Sequence, residues 1–233
     1  MNSNQSTESD IETYRRIRSA IGYLGILLPI ILLIFSITPF FETDFQHSIS
    51  HYYYTNLREI FTGILCSVGL FLIRYKGFGN SVIWKNDGML TNIAGYMAFG
   101  IAFIPTNPDH CCQKIYTLIP YCNQLLNTAH YIFAAIFFII TANISINVFV
   151  IGQKVDPNIS KSIFNENNIY KICGYLILLF IFLIPVLSYF KVPYSTFILE
   201  ALSLVTFGIT WLIKGRALGD KGNLGKTLYC ENN

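Results

Sequence analysis

The sequence predicts an all-α, polytopic integral membrane protein: a six-transmembrane-helix bundle with both termini cytoplasmic. Three observations lead there. Of 233 residues, 53% are apolar and only 12% charged, about half the charged share of an ordinary soluble domain. Six apolar runs approach or exceed the roughly 20 helical residues that cross a hydrocarbon layer about 30 Å thick. Lys and Arg alternate in density between the segments that join those runs. A 15% aromatic share and a mean hydropathy of +0.47 exclude a disordered chain, a fibrous protein and a disulfide-dense miniprotein.

The elements follow in chain order. Residues 1–19 form a polar cytoplasmic segment. The first span, Ala20–Phe41, is too long for the apolar region of a secretory signal, so no cleaved leader is expected. Glu59–Tyr75 and Gly88–Pro105 are shorter spans that carry glycine. Leu125–Ile151, Ile169–Phe190 and Tyr194–Lys214 complete the transmembrane domain, residues 20–214, and residues 215–233 form a cytoplasmic tail. Runs this long read as helices, because a barrel strand is about half as long and only alternately apolar.

Orientation comes from the basic residues. Arg15, Arg16, Arg18, Arg74, Lys76, Lys85, Lys154, Lys161, Lys171, Lys214, Arg216, Lys221 and Lys226 fall on one side. Arg58, Lys114 and Lys191 fall on the other. Thirteen against three places both ends inside a cell (inner or plasma) membrane. The net charge of +3 is absorbed by this bias and implies no nucleic acid. Membrane lipids are the expected partners, a homo-oligomer is compatible with the sequence, and no cofactor is implied.

The six cysteines divide by topology. Cys66 and Cys173 sit in spans, as small apolar residues, and Cys230 in the reducing tail. Cys111, Cys112 and Cys122 share the second outer loop on the oxidising side. A bridge from Cys122 to Cys111 or Cys112 would close a small loop. A structural disulfide or free thiols outrank redox catalysis, because adjacent cysteines do not make the CxxC pair of disulfide oxidoreductases.

The four histidines also map outside. His47, His51, Asp109 and His110 are of zinc-ligand type, and His47 and His51 at i, i+4 would share a helical face. Against this, loops gather polar residues anyway, and Ser48-Ile-Ser-His-Tyr-Tyr-Tyr-Thr favours extended or irregular backbone.

Ionisable groups within spans are expensive and so are candidate functional residues. Glu200 lies roughly 9 Å below the outer end of the last span, at 1.5 Å per residue. His130 lies at similar depth in the fourth span, and Arg58 opens the second. Arg58, His130 and Glu200 are expected to converge as an outer-facing polar pocket, with Ser48, Ser50, Tyr52, Tyr53 and Tyr54 above it offering hydroxyls to a headgroup. The structural alternative is an Arg58–Glu200 ion pair that fixes helix packing. Glu59 is expected to complete an N-terminal cap with Asn56, and Asp87 to cap the third span. Ala94, Ala98 and Ala102 form a small-residue seam.

The stretch Ser48-Ile-Ser-His-Tyr-Tyr-Tyr-Thr-Asn-Leu-Arg-Glu-Ile-Phe-Thr-Gly resembles a signature of bacterial six-span membrane proteins of unassigned function. In those, a Ser-x-Ser-x-Tyr-Tyr loop precedes an Arg-x-x-Phe helix start. Leu90-Thr-Asn-Ile-Ala-Gly, Pro105-Thr, His130 with Phe133-Ala, and Glu200 extend the likeness over most of the chain. The Ser-Ile-Ser loop is also similar to the Frag/DRAM/Sfk membrane family, whose members are linked to lipid organisation. Alkaline-ceramidase-like hydrolases end in a His-x-x-x-His pair on zinc. Here the last span has Glu200 and no histidine.

The reading that follows is a non-enzymatic protein that binds or senses a lipid or amphiphile. The alternatives are a membrane-embedded metal-dependent hydrolase or transferase acting on lipid, and a small transporter. For the latter, no inverted repeat or broken helix pair is evident. The topology makes the first prediction. A cysteine placed at Lys161 should react with an impermeant reagent only after the cells are permeabilised, and labelling confined to the outside of intact cells would reverse the orientation.

Overall fold

The computed structural model describes residues 3–77, 79–108, 116–150 and 165–217, with side chains described from Ile11 onward. Asp109, His110, Cys111, Cys112, Lys114, Lys154, Lys161, Lys221, Lys226 and Cys230 lie outside the described residues. Six α-helices are present among those described, and no strand: α1 Ser3–Ser36, α2 Arg58–Arg74, α3 Asp87–Phe103, α4 Gln124–Asn143, α5 Glu166–Tyr189 and α6 Ser195–Lys214. Short 3-10 turns occupy Pro39–Phe41, Ser50–Tyr54 and Ile83–Lys85, and a π turn, Ile144–Val148, extends α4. Four helices, α1, α4 with its π turn, α5 and α6, are long and apolar enough to cross a membrane. At 17 residues each, α2 and α3 reach about 26 Å, just short of a full hydrocarbon core.

Three local expectations change. The first helix stops at Ser36, short of Phe41, because the residue before a proline is pushed out of the helical region. Thr38 accordingly sits at φ −94°, ψ 117° ahead of Pro39. No side-chain cap closes α2. Asn56 donates instead to the Phe41 carbonyl at 3.1 Å, while the Thr55 hydroxyl accepts from the Leu57 amide at 3.2 Å. The cap of α3 is Asn86, whose side chain accepts from the Met89 amide at 3.0 Å. Asp87 turns inward instead, where it is 4% exposed.

Helix packing relies on missing side chains. A Cβ built on Gly22 of α1 would fall 2.7 Å from the Gly208 carbonyl of α6. A Cβ on Gly95 of α3 would fall 2.7 Å from the Gly69 carbonyl of α2. A Cβ on Gly174 of α5 would fall 2.9 Å from the Ala142 carbonyl of α4. Ala94, Ala98 and Ala102 are fully buried, as a small-residue seam requires. Around these crossings lies an aromatic core: Phe137 against Phe207, Phe149 against Tyr170, and both Phe149 and Phe207 against Trp211. Large apolar residues such as Leu33, Leu70, Ile139, Leu179, Phe182 and Ile198 face outward, a surface suited to lipid rather than water.

The antiparallel bundle has two ends. Residues 42–57, 104–108 and 190–194 gather at one, here the loop end. The starts of α3 and α5 and the close of α6 meet the middle of α1 at the other, here the tail end. The crossings yield a prediction. Gly208→Val should lower the melting temperature of the detergent-solubilised protein, with an overpacking cost of about 1–3 kcal/mol. Gly63→Ala should be neutral, since nothing lies within 4 Å of a Cβ there. Equal behaviour of the two variants would refute the close crossing.

Candidate functional site

The segment from Glu42 to Leu57 runs over the loop end and dips into the bundle. Its lowest part is the Ser48–Tyr54 stretch expected to be extended or irregular, and most of it forms a 3-10 turn. Ser48, Ile49, Ser50, Tyr52 and Tyr53 are all buried, so the polar groups of this backbone need partners from inside the bundle. Glu200 provides one: its Oε2 accepts from the Ile49 amide at 2.7 Å. His130, 2% exposed, provides another, with Nε2 at 2.9 Å from Ser50 Oγ. The other ring nitrogen, Nδ1, lies 2.5 Å from the Ile104 carbonyl. A carbonyl oxygen only accepts, so Nδ1 carries the proton and Nε2 accepts from the Ser50 hydroxyl.

A cavity of about 40 Å³ lies under this turn. Ser50 and Glu200 are its polar wall, and Leu28, Phe61, Phe137 and Leu204 are among the apolar side chains that close it. It thus draws on α1, α2, α4 and α6. Room of this size admits a few water molecules.

The structure brings His130, Ser50 and Glu200 together around Ile49, but it does not bring Arg58 to them. Arg58 Nε donates to the Tyr53 carbonyl at 2.7 Å and its Nη1 to the Tyr116 carbonyl at 2.9 Å. Its guanidinium lies 5.2 Å from the Tyr53 ring centroid. The anticipated Arg58–Glu200 ion pair is not formed. Carbonyls of the two loops satisfy the guanidinium, and the Ile49 turn occupies the carboxylate.

Two of the three tyrosine hydroxyls are likewise committed. Tyr52 donates to Ser36 Oγ at 3.1 Å and Tyr54 to the Thr106 carbonyl. Ser48 Oγ sits 2.6 Å from His51 Nδ1. Only Ser50, of the hydroxyls expected above a pocket, lines the cavity. Burial raises the phenol pKa of all three tyrosines, against the opposing Arg58 charge at Tyr53 and Tyr54.

The metal alternative finds no support among the described residues, where no group of three His, Cys, Asp or Glu is disposed to hold an ion. His47 and His51 do not share a helix face. The His47 ring stacks on Tyr194 with centroids 4.9 Å apart, while His51 is engaged with Ser48. Cys122 is disulfide-bonded, and Cys66 and Cys173 are free thiols.

A second polar network, at the tail end, escaped the sequence reading. Arg18 Nη2 donates to the Tyr75 hydroxyl at 3.0 Å, and that hydroxyl donates to Asp87 Oδ2 at 2.9 Å. Trp211 packs edge-on to Tyr75 at 5.4 Å. Lys214 Nζ donates to the Phe149 carbonyl at 2.9 Å and lies 5.2 and 5.6 Å from the Phe149 and Tyr170 ring centroids. In the sequence Arg18 and Lys214 read only as positive-inside charge and Asp87 only as a cap. The one signal available was Asn86, which makes a second capping residue redundant.

The tyrosines give a pH prediction. Their folded pKa values are raised, so the stability they contribute is complete below the unfolded value near pH 10 and is lost as pH rises beyond it. Phenolate absorbance of the folded protein should show a late-titrating group that Tyr54→Phe removes. Titration of every tyrosine together near pH 10 would contradict the buried arrangement.

Comparison with protein-family models, with curated proteins and with solved structures gave no match to this chain.

Proposed function

We propose that this chain is a six-span protein of the cell membrane, both ends cytoplasmic, that recognises a lipid or other amphiphile at its loop end without transforming it. The observation that carries the reading is the Glu200 carboxylate, set inside an apolar bundle and bound to a backbone amide beside a small cavity. The cavity wall suits an amphiphile: hydrocarbon from several helices, with one carboxylate and one hydroxyl at the top. At about 40 Å³ it is smaller than any headgroup. Occupation therefore requires the Ile49–Ser50 turn to lift away from Glu200 and His130. A ligand hydroxyl or amine would then replace the Ile49 amide at Glu200, which links binding to release of the loop. The disulfide at Cys122 supports an oxidising, outer location for this end.

A hydrolase or transferase is the second reading, and the Ser50–His130 contact favours it. A hydroxyl 2.9 Å from an imidazole whose other nitrogen is oriented by the Ile104 carbonyl has the form of a nucleophile, base and orienter. The two readings separate experimentally. If the protein binds an amphiphile, Glu200→Gln purified in detergent should keep its fold and lose a co-purifying lipid that mass spectrometry detects in the wild type. Retained lipid with a lowered melting temperature would make Glu200 purely structural and refute the proposal. Covalent labelling by a fluorophosphonate, abolished in Ser50→Ala, would favour the enzyme instead.

A further inference from the structure

Where α5 turns into α6, at the loop end, the surface opens into a groove of about 320 Å³. It is some eightfold larger than the cavity at Glu200 and separate from it. The turn is shaped by its backbone. Lys191 and Tyr194 both adopt positive φ, 54° and 56°, a conformation that L residues enter at some cost. At Lys191 it is the left-handed cap that closes α5: the Lys191 amide donates to the Ser188 carbonyl at 3.0 Å and the Val192 amide to the Leu187 carbonyl at 3.1 Å. On the opposite wall the Phe197 amide of α6 donates to the His47 carbonyl at 2.9 Å, which fixes His47 over Tyr194.

The chemistry of the lining points one way. Lys191 supplies an ammonium, His47 an imidazole, and Ser188, Ser195 and Thr196 supply hydroxyls. Among the described residues no carboxylate lines the groove. It opens on the first turn of α6, the partially positive end of a 20-residue helix, where anions are favoured. Ser195 adds an independent sign. It is only 5% exposed, it lines the groove, and its hydroxyl makes no hydrogen bond among the described residues. A hydroxyl on a largely buried residue that lines an opening and lacks a partner in the chain is suited to a ligand oxygen. Tyr189 and Phe190, 82% and 70% exposed beside the groove, are the kind of aromatic residues found at headgroup level.

We infer that the groove between His47, Lys191 and Ser195 binds a phosphate-bearing anion. A phosphate offers several acceptor oxygens to one ammonium, one imidazole N–H and the hydroxyls. The volume leaves room for the alcohol esterified to it. Both a phospholipid headgroup and free phosphate have this chemistry, and the site is independent of the pocket at Glu200.

The test is native mass spectrometry of the full chain in detergent. It is titrated with dioleoyl phosphatidic acid, with dioleoylglycerol as the phosphate-free control and inorganic phosphate as competitor. The wild type should bind phosphatidic acid and not dioleoylglycerol. Lys191→Gln should weaken binding about tenfold, the scale of one charge-assisted hydrogen bond, while Lys191→Arg should restore most of it. Lys85→Gln, exposed at the tail end, should change nothing. Displacement by millimolar phosphate would identify the phosphate alone as the ligand, and its failure to compete would identify the lipid. Both support the groove. Equal binding by wild type, Lys191→Gln and a His47→Ala/Lys191→Gln double variant, at unchanged melting temperature, would overturn it, as would no binding at all.

Discussion

The bond from the Ile49 amide to Glu200 joins residues 151 positions apart, and the loop end is organised around it. Non-helical backbone inside an apolar bundle carries donors and acceptors that lipid cannot satisfy. Lowering the 48–54 turn between the helices therefore demands polar side chains at matching depth. Glu200 serves the Ile49 amide, and His130 links Ser50 to the Ile104 carbonyl. Arg58 ties the Tyr53 and Tyr116 carbonyls, and Tyr54 reaches the Thr106 carbonyl. The polar residues inside the bundle thus serve the inserted backbone first. Any ligand at this end competes with the chain itself.

That dependence explains what the sequence disclosed. Helix positions were legible because hydrocarbon thickness imposes a length and Lys and Arg mark the boundaries. The helices begin and end within a few residues of the expected spans, apart from the early start of α1 and its early close at Ser36. The Ala94–Ala98–Ala102 seam was legible because small residues at that spacing have little other use. Depth and cost alone pointed to Arg58, His130 and Glu200 as a group, with Ser50 among the hydroxyls above it; of these, His130, Ser50 and Glu200 meet around Ile49. Their partners were not legible. Tyr53, Tyr116, Ile104 and Phe149 act through main-chain carbonyls, which every residue has, so no residue type signals them. Arg58 was assigned to Glu200 because charge pairing is the default assumption for side chains. Two carbonyls and an aromatic ring satisfied it instead, as a guanidinium with five donors permits. The 3-10 turn escaped notice because its aromatic and β-branched residues favour extended backbone, and burial against α1 and α6 overrode that preference.

The two ends of the bundle solve the same problem differently. At the loop end one chain segment is inserted and the helices supply its partners. At the tail end no segment enters among the described residues. Arg18, Tyr75, Asp87 and Lys214 come from four elements and meet aromatic rings and a helix-terminal carbonyl. α1 and α6 contribute to both ends and cross tightly at Gly22 and Gly208, so the pair forms a rigid spine between the networks.

The π turn at Ile144–Val148 makes chain length itself a determinant of the tail end. Its wider ring closes from the Phe149 amide to the Ile144 carbonyl at 2.9 Å, and so accommodates one residue more than an α-turn would. Phe149, which follows it, is rotated by about 100° relative to the continuation of α4. That phase shift directs the Phe149 carbonyl to Lys214 and its ring to Trp211. A chain one residue shorter here would retain every one of those side chains and still misalign them. In this stretch spacing is information, and a comparison of residue types alone would not register its loss.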